Sequence, residues 1–249
     1  MAKPGDWPAA CEVVNENGGS HVILLCEHAS RYVPPEYAGL GLTEQDLSRH
    51  IAWDIGAAEV TRRLARLIDA PAFLATYSRL LIDLNRPLGS KGSIPALSES
   101  TAIPGNISIS DAERELRAGR IFTPYQDRIA QCVHRREREG KPVRLVAIHS
   151  FTPVFKGVQR PWHAGVLFEK AASFAEHIIQ GLRADPELNV DANVPYTVGR
   201  DEDYALLVHG DDRDNPAVLI EIRNDLIADA SGAERWAQRL APVLRSVKD

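Results

Sequence analysis

Polar side chains that could do chemistry stand at the ends of four apolar, strand-like runs of this sequence. The runs are Val22–Leu25 before Glu27-His28, Leu80–Ile82 before Asp83-Leu84-Asn85-Arg86, Leu145–Ile148 before His149-Ser150, and Val218–Ile220 before Glu221-Ile222-Arg223. Because the carboxyl ends of the strands in an open α/β sheet face the ligand crevice, side chains placed there are positioned for chemistry. The set contains possible metal ligands, an anion clamp and a carboxylate base, which together indicate an enzyme.

Two histidines from different strands, His28 and His149, are a natural pair of zinc ligands. A carboxylate should complete the site, and Asp54 and Glu27 are the candidates. Asp54 falls on the apolar side of a predicted helix, where an acid needs a partner. Glu27 is adjacent to His28, and neighbours on an extended chain point to opposite faces, so Asp54 is the favoured ligand. The spacing is equally compatible with a rim histidine and a buried Asp–Arg pair, since no local metal motif is present.

Glu221 is the candidate general base, because a glutamate in a core strand is desolvated and its pKa is thereby raised toward neutrality. The alternative is a structural pair with Arg223, which shares its face of the strand. Arg86 and Asn85 offer a guanidinium fork and an amide for a carboxylate. Arg79 could reach a carbonyl oxygen on which negative charge develops. Each of these arginines could also be a surface ion pair.

The elements that must position these residues alternate between strands and amphipathic helices. This order predicts a mixed, mostly parallel central sheet with helices on both faces. The remaining expected strands are Phe73–Ala75 and Ala164–Phe168, and the expected helices are about Thr43–Asp69, a short one capped by Ser110, Thr123–Glu139, Lys170–Ala184 and Gly232–Val247. The stretch Pro87–Ser110 is expected to be a long loop, either a lid or binding loop or plain surface.

The 249 residues fit one α/β domain, and a single domain of residues 1–249 is expected. The net charge of −5 and the absence of a basic patch argue against nucleic-acid binding. No signal sequence and no apolar stretch of about twenty residues is present, so no membrane association is expected and the cytoplasm is the expected location. Cys11, Cys26 and Cys132 form no metal-knuckle spacing and are expected to be reduced thiols.

Taken together, the motifs resemble those of a known family. His149 on its strand, the Asp83-Leu84-Asn85-Arg86 cluster and the Glu221-Ile222-Arg223 strand resemble, in the same order, elements of the zinc carboxypeptidase-like fold. Glu27-His28-Ala29-Ser30, Ser78-Arg79 through Arg86, His149-Ser150-Phe151-Thr152-Pro153 and Glu221 through Leu226 resemble more closely the N-formylglutamate amidohydrolase family, over most of the chain from Val22 onward.

This resemblance implies hydrolysis of an N-acyl amino acid such as N-formylglutamate, that is, a deformylase dependent on one Zn²⁺ ion. The expected metal ligands are His28, His149 and Asp54, and the zinc would lower the pKa of water toward about 7 while Glu221 takes its proton. Asn85, Arg86 and Arg223 are the expected substrate-binding residues, with Arg86 and Asn85 on the α-carboxylate, and Arg79 helps to polarise the amide. A small molecule is therefore the expected partner, and homo-oligomer formation is left open.

One position departs from the zinc carboxypeptidases. They place a glutamate three residues after the first histidine, and here that position is Arg31. A noncatalytic amino-acid or peptide-binding protein that keeps the clamp without zinc is therefore an alternative, as is a carboxypeptidase or amidase acting on small peptides. A pure binder, however, has no need for a buried base such as Glu221.

Overall fold

Seven strands form one central sheet in the computed structural model, which describes residues 7–247. In spatial order they are β1 (Cys11–Val14), β3 (Ala72–Ala75), β2 (Val22–Cys26), β6 (Arg144–Phe151), β11 (Ala217–Arg223), β9 (Ala164–Leu167) and β10 (Val190–Ala192). Only the β1–β3 and β11–β9 pairings are antiparallel. The predicted mixed, mostly parallel sheet is confirmed.

Helices cover both faces of this sheet. They are α1 (Glu44–Leu47), α2 (Ala57–Leu67), α3 (Asp111–Arg117), α4 (Thr123–Arg138), α5 (Ala172–Arg183) and α6 (Ala230–Arg245). Helices α2, α5 and α6 pack into one apolar cluster and α4 into the other, because alternate residues of the buried central strands point to opposite faces. Two small hairpins lie outside the sheet, β4–β5 (Leu97–Ser98 and Thr101–Ala102) and β7–β8 (Val154–Phe155 and Val158–Gln159).

The prediction of one continuous helix from about Thr43 to Asp69 is wrong in its middle, where the chain is not helical. The capping box of Thr43 and Asp46 is present, but it begins the four-residue helix α1, and turns separate α1 from α2. Gly56 precedes α2 with a φ of 83°, and a Cβ there would lie 2.1 Å from the Ile227 carbonyl oxygen. Only glycine fits such a position, so a continuous helix cannot pass through residue 56.

The strand expected at Leu80–Ile82 is also wrong. This segment is a buried turn in the second apolar cluster, so its apolar character reflects burial. Its carbonyl groups and that of Leu84 accept hydrogen bonds from distant side chains: Asn106 Nδ2 to Leu80 at 2.7 Å, Arg117 Nη1 to Leu81 at 3.0 Å and Gln126 Nε2 to Leu84 at 2.7 Å. These donors satisfy backbone groups that a sheet ladder would otherwise satisfy.

The expected single domain of residues 1–249 includes residues 1–6 and 248–249, which lie outside the described residues. Cys11, Cys26 and Cys132 are free thiols. Within residues 7–247, none of the helices combines the length and the hydropathy needed to cross a bilayer.

A buried histidine predicts a pH dependence of stability. The Nε2 atom of His209 lies 2.8 Å from Gln126 Oε1. Burial lowers the pKa of His209 to about 4. The unfolded chain takes up this proton near pH 6.5, so the free energy of unfolding falls as the pH drops from about 6.5 to 4. We expect this histidine to account for a loss of about 3 kcal/mol, measured by urea unfolding as the difference between the wild type and His209→Gln. A difference that stays constant from pH 7 to pH 4 would contradict the prediction.

Candidate active site

Three adjacent parallel strands bring the predicted polar side chains together at one edge of the sheet. His28 lies two residues beyond β2, His149 lies in β6 and Glu221 in β11. Glu221 and His149 are register partners across the β11–β6 ladder. Partners in a parallel pair point to the same face, so the carboxyl and the imidazole share one side of the sheet.

Asp54 joins the two histidines. Its Oδ2 lies 3.4 Å from His28 Nδ1 and 2.9 Å from His149 Nδ1. All three side chains are buried, and one donor atom from each lies within 4.8 Å of the others. The Asp54 backbone N–H donates to the His28 carbonyl at 2.9 Å, which fixes the aspartate beside β2. Asp54, which the sequence favoured as the third ligand, thus lies beside both histidines, but it lies between α1 and α2 and not on a helix, so the helix-face argument for it is not supported.

Two further carboxylates hold the outer nitrogens of the histidine rings. Glu27 Oε2 lies 2.9 Å from His149 Nε2, and Asp83 Oδ1 lies 2.8 Å from His28 Nε2. Each imidazole therefore presents its Nδ1 to Asp54 while its Nε2 is held by an acid. This carboxylate–histidine arrangement is typical of metal-ligating histidines. Glu27 thus contacts the outer nitrogen of His149 and is not one of the three converging donors.

The donor set fits a zinc ion. Two ligand atoms about 2.0 Å from a tetrahedral zinc lie about 3.3 Å apart, close to the two separations that Asp54 Oδ2 makes with the imidazoles. Two imidazoles and one carboxylate leave a fourth position open, as in catalytic zinc sites. His28, Asp54 and His149 therefore form a possible metal-binding triad.

The charges of this cluster support one another. Burial alone would raise the pKa of Asp54, but His28 and His149 outweigh it and hold that pKa well below its ordinary value. Burial would lower the pKa of His149, and the carboxylates of Asp54 and Glu27 raise it instead. Arg79, with its Nη2 2.8 Å from Asp83 Oδ2 and its Nη1 3.4 Å from Asp54 Oδ1, helps to keep the pKa of Asp83 low despite burial.

Glu221 stands apart from these pairs. It is buried, and its Oε2 has no hydrogen-bond partner. Burial raises its pKa to about 7, with the neighbouring positive charges of His149 and His28 opposing the shift. The alternative pair with Arg223 is not formed, because the Arg223 guanidinium binds Asp225 at 2.8 Å. A carboxyl group with a free oxygen and a near-neutral pKa is suited to general-base chemistry.

A two-part cleft opens over the triad. Its inner half, about 280 Å³, is lined by the triad and Glu221, and its outer half, about 450 Å³, by residues of the segment Ser90–Glu99. Arg79, Arg86, Phe155, Tyr196 and Glu202 line both halves. The stretch Pro87–Ser110, expected to be a loop, thus supplies part of the cleft wall. The inner half also holds Thr152, whose buried Oγ1 lacks a hydrogen-bond partner.

The expected clamp residues differ in their contacts. Arg86 is partly exposed, lines the cleft and pairs with the exposed Glu202 at 2.9 Å. Asn85 lines the inner half, but its Nδ2 donates to Asp203 and its Oδ1 accepts the backbone N–H groups of Tyr204 and Ala205. Its amide therefore secures the 203–205 segment.

Arg223 is not among the residues that line the cleft. Arg31 also lies outside the cleft lining, and its guanidinium binds Glu44 at 2.9 Å. The position at which the sequence departs from the zinc carboxypeptidases thus carries a surface ion pair, and Asp54 supplies the third donor atom of the triad.

Several site residues have no role in the sequence interpretation. Asp83 belongs to a polar cluster of the sequence that carries no assignment to His28, although its position directly after an apolar run is a usable signal. Phe155 and Tyr196 come from a hairpin and a loop that meet the cleft only through the tertiary fold. Neither carries a local sequence pattern that would have located it.

Comparisons with known proteins give the family and the fold of the chain. The family model for N-formylglutamate amidohydrolase matches residues 20–228. A crystal structure of a gene product from Agrobacterium tumefaciens is 36% identical, with a TM-score of 0.92, and the alignment covers 96% of this chain and 94% of that one. The crystal structure of N-formylglutamate amidohydrolase from Ralstonia eutropha JMP134 is 17% identical, with a TM-score of 0.67 and coverage of 95% and 96%, and shares the fold.

No curated protein matches the chain significantly. The family model covers residues 20–228, well over half of the sequence, and includes the triad, Glu221 and the segment from Arg79 to Arg86. The chain therefore belongs to the N-formylglutamate amidohydrolase family and is a hydrolase that acts on amides.

Proposed function

We propose that this enzyme removes the formyl group, or another small acyl group, from an N-acyl amino acid such as N-formylglutamate, with one zinc ion held by His28, Asp54 and His149. The observation that carries the proposal is the unpartnered Glu221 carboxyl beside this triad, in a cleft of a chain that belongs to the family. The cleft volume suits a small N-acyl amino acid.

A zinc ion in this triad would supply Lewis-acid polarisation of the amide carbonyl and lower the pKa of water. Glu221 accepts a proton from the attacking water and returns it to the nitrogen of the leaving amine. The amide C–N bond breaks, and formate and the free amino acid are the products when the acyl group is formyl. No residue of the chain forms a covalent intermediate in this scheme.

Arg79 stabilises the charge that develops on the carbonyl oxygen. Asp54 and Asp83 fix its guanidinium at the boundary of the two cleft halves, and about a quarter of its side chain remains exposed. A guanidinium fixed in advance needs no reorganisation when the oxyanion forms, which is the basis of electrostatic stabilisation in enzyme sites. Glu27 and Asp83 orient the two imidazoles.

Arg86 binds the α-carboxylate of the substrate. Its present partner, Glu202, has a side chain that is 75% exposed. An ion pair with an exposed carboxylate contributes little free energy, so a substrate carboxylate can replace the Glu202 carboxylate without a large penalty, while Arg86 still donates to the Glu202 backbone carbonyl. Asn85 supports this site by holding the 203–205 segment.

The direct test is a screen of N-formyl and N-acetyl amino acids for release of the free amine by the zinc-loaded enzyme. We expect formyl or other small acyl derivatives of amino acids with a free α-carboxylate to be hydrolysed. Release of amine from none of them, with zinc bound, would contradict the proposed reaction. A noncatalytic binder would bind these compounds without turnover.

The clamp gives a prediction about the substrate. Amidating the α-carboxylate should lower kcat/KM of the wild type by about a hundredfold, because the bidentate guanidinium contact is lost. The same change should have little effect in Arg86→Ala, in which the contact is already absent.

Arg31→Ala is the matched control, since it removes an arginine outside the cleft lining. It should keep the full sensitivity to amidation. If Arg86→Ala were as sensitive as the wild type, the α-carboxylate would bind elsewhere and Arg86 would be a surface ion pair.

A further inference from the structure

His50 brings a further imidazole to the boundary of the two cleft halves. Its side chain is 29% exposed and lines both halves, as do those of Arg79 and Arg86. It stands four residues before Asp54 in the sequence and is not one of the three converging donors. The hydrolysis proposed for this site does not involve it.

One nitrogen of the His50 ring faces a carboxylate. Its Nε2 is buried and lies 3.1 Å from Glu99 Oε1, although the two are not aligned for a hydrogen bond. That oxygen would repel a lone pair on Nε2, so the proton of the neutral ring belongs on Nε2. Glu99 Oε2 lies 3.2 Å from Arg49 Nη2, and this guanidinium balances the carboxylate charge without a second proton on His50.

The other ring nitrogen is left as a free acceptor. Within residues 7–247 the His50 Nδ1 makes no hydrogen bond, and unlike Nε2 it is not buried. With the proton on Nε2, Nδ1 carries a lone pair that can accept a hydrogen bond from a ligand. Thr152 Oγ1 in the inner half also lacks a partner, but it is buried. A ligand in the cleft can therefore reach Nδ1 more readily than Thr152 Oγ1.

An N-acyl amino acid carries a hydrogen-bond donor, its amide N–H, between the acyl carbonyl and the α-carboxylate. In the proposed function Arg79 contacts the carbonyl oxygen and Arg86 the carboxylate, and a guanidinium has no acceptor for an N–H group. His50 lines the same boundary of the cleft as these two arginines. Its Nδ1 is the acceptor that complements their donors.

We propose that His50 Nδ1 accepts a hydrogen bond from the amide N–H of the substrate, with Glu99 fixing the tautomer of the ring. This proposal rests on the proposed function, and it makes His50 a substrate-contacting residue and Glu99 a positioning residue. As the amide carbon becomes tetrahedral, the held N–H directs the nitrogen lone pair away from His50, where it can accept the proton from Glu221. The enzyme therefore distinguishes an amide from an ester of the same shape.

The test compares N-formyl-L-glutamate with the formyl ester of L-2-hydroxyglutarate, in which an oxygen replaces the amide N–H. His50→Phe keeps a ring and removes the acceptor. We expect this variant to lower kcat/KM for the amide by about tenfold and that for the ester by less than about twofold, because only the amide loses a hydrogen bond. The intrinsic reactivities of the two compounds cancel when the variant is compared with the wild type.

Thr152→Val is the matched control, since it removes the other unpartnered acceptor from the cleft wall with little change in shape. Its ratio of kcat/KM for amide and ester should equal that of the wild type. A lower ratio in Thr152→Val with an unchanged ratio in His50→Phe would assign the N–H to Thr152 and overturn the role of His50. Equal losses for both compounds in His50→Phe would overturn it as well, because His50 would then only support the cleft wall.

Calorimetric titration separates this proposal from the proposed reaction. The ligands are N-acetyl-L-glutamate and the acetyl ester of L-2-hydroxyglutarate, and the proteins compared carry Glu221→Gln so that neither ligand is turned over. With His50 present, the preference for the amide should be about tenfold greater than with His50→Phe, even if the enzyme hydrolysed no amide. The same preference in both proteins would overturn the role of His50 whatever the hydrolysis assay gives.

Asparagine provides a rescue if His50→Phe fails to fold. The side-chain oxygen of asparagine can take the place of Nδ1 as the acceptor, so His50→Asn should keep more of the preference for the amide than His50→Ala. A preference in His50→Asn no greater than that in His50→Ala would overturn the hydrogen bond.

Discussion

Replacing either His28 or His149 with alanine is expected to abolish stoichiometric zinc binding and activity together. Each imidazole presents its Nδ1 to the Asp54 carboxylate while its Nε2 is held by an acid, so removing one leaves only two converging donors. The central strands are untouched, and the fold should survive. The measurement is zinc per chain by elemental analysis after loading and desalting, with circular dichroism as the check on folding.

The same zinc-binding assay should distinguish the roles of Asp54 and Glu27. Asp54→Asn is expected to weaken zinc binding by more than Glu27→Gln, because Asp54 belongs to the converging triad and Glu27 contacts the far side of His149. Loss of such an outer carboxylate lowers metal affinity by about tenfold to a hundredfold. His134→Ala, at an exposed position of α4, is the control and should bind zinc fully. Full occupancy in both His28→Ala and His149→Ala would exclude the triad as the metal site.

The parts of this site that the sequence predicted share one property. His149 and Glu221 directly follow apolar runs and His28 comes three residues after one, and the rule that strand ends face a crevice needs only such local patterns. The parallel ladder between β6 and β11 then brings Glu221 beside His149. Nothing beyond strand direction and order is required for that result.

The parts that failed depend on contacts between distant residues. Leu80–Ile82 has the apolar character of a strand, but the carbonyl groups of Leu80 and Leu81 accept hydrogen bonds from Asn106 and Arg117, which no window around residue 81 contains. The break in the expected helix near Asp54 depends on Gly56 and the close approach of Ile227.

Glu221→Gln is expected to lower kcat by about a hundredfold or more, the usual scale for removal of a general base. Glutamine keeps the shape of the side chain and cannot accept the proton, while the triad is unchanged. Zinc per chain should therefore equal that of the wild type, which distinguishes this loss from a loss of metal. Near-normal turnover would rule out Glu221 as the base.

The same substitution should stabilise the metal-free protein at alkaline pH. The pKa of Glu221 is raised to about 7 from an ordinary value of 4.5, because burial disfavours the carboxylate. Between these two pH values the folded chain holds a proton that the unfolded chain has released, so the free energy of unfolding falls as the pH rises through this window. The total loss is about 3 kcal/mol, and Glu221→Gln lacks it.

Urea unfolding of the two metal-free proteins at pH 4.5 and pH 8 measures this difference. The quantity compared is the free energy of unfolding of the variant minus that of the wild type. We expect this difference to be about 3 kcal/mol larger at pH 8 than at pH 4.5. A variant that is less stable than the wild type at both pH values would indicate that Glu221 stabilises the fold. A carboxylate that is unfavourable for folding and yet required for turnover is what a buried general base should be, since its burial is what brings its pKa near neutrality.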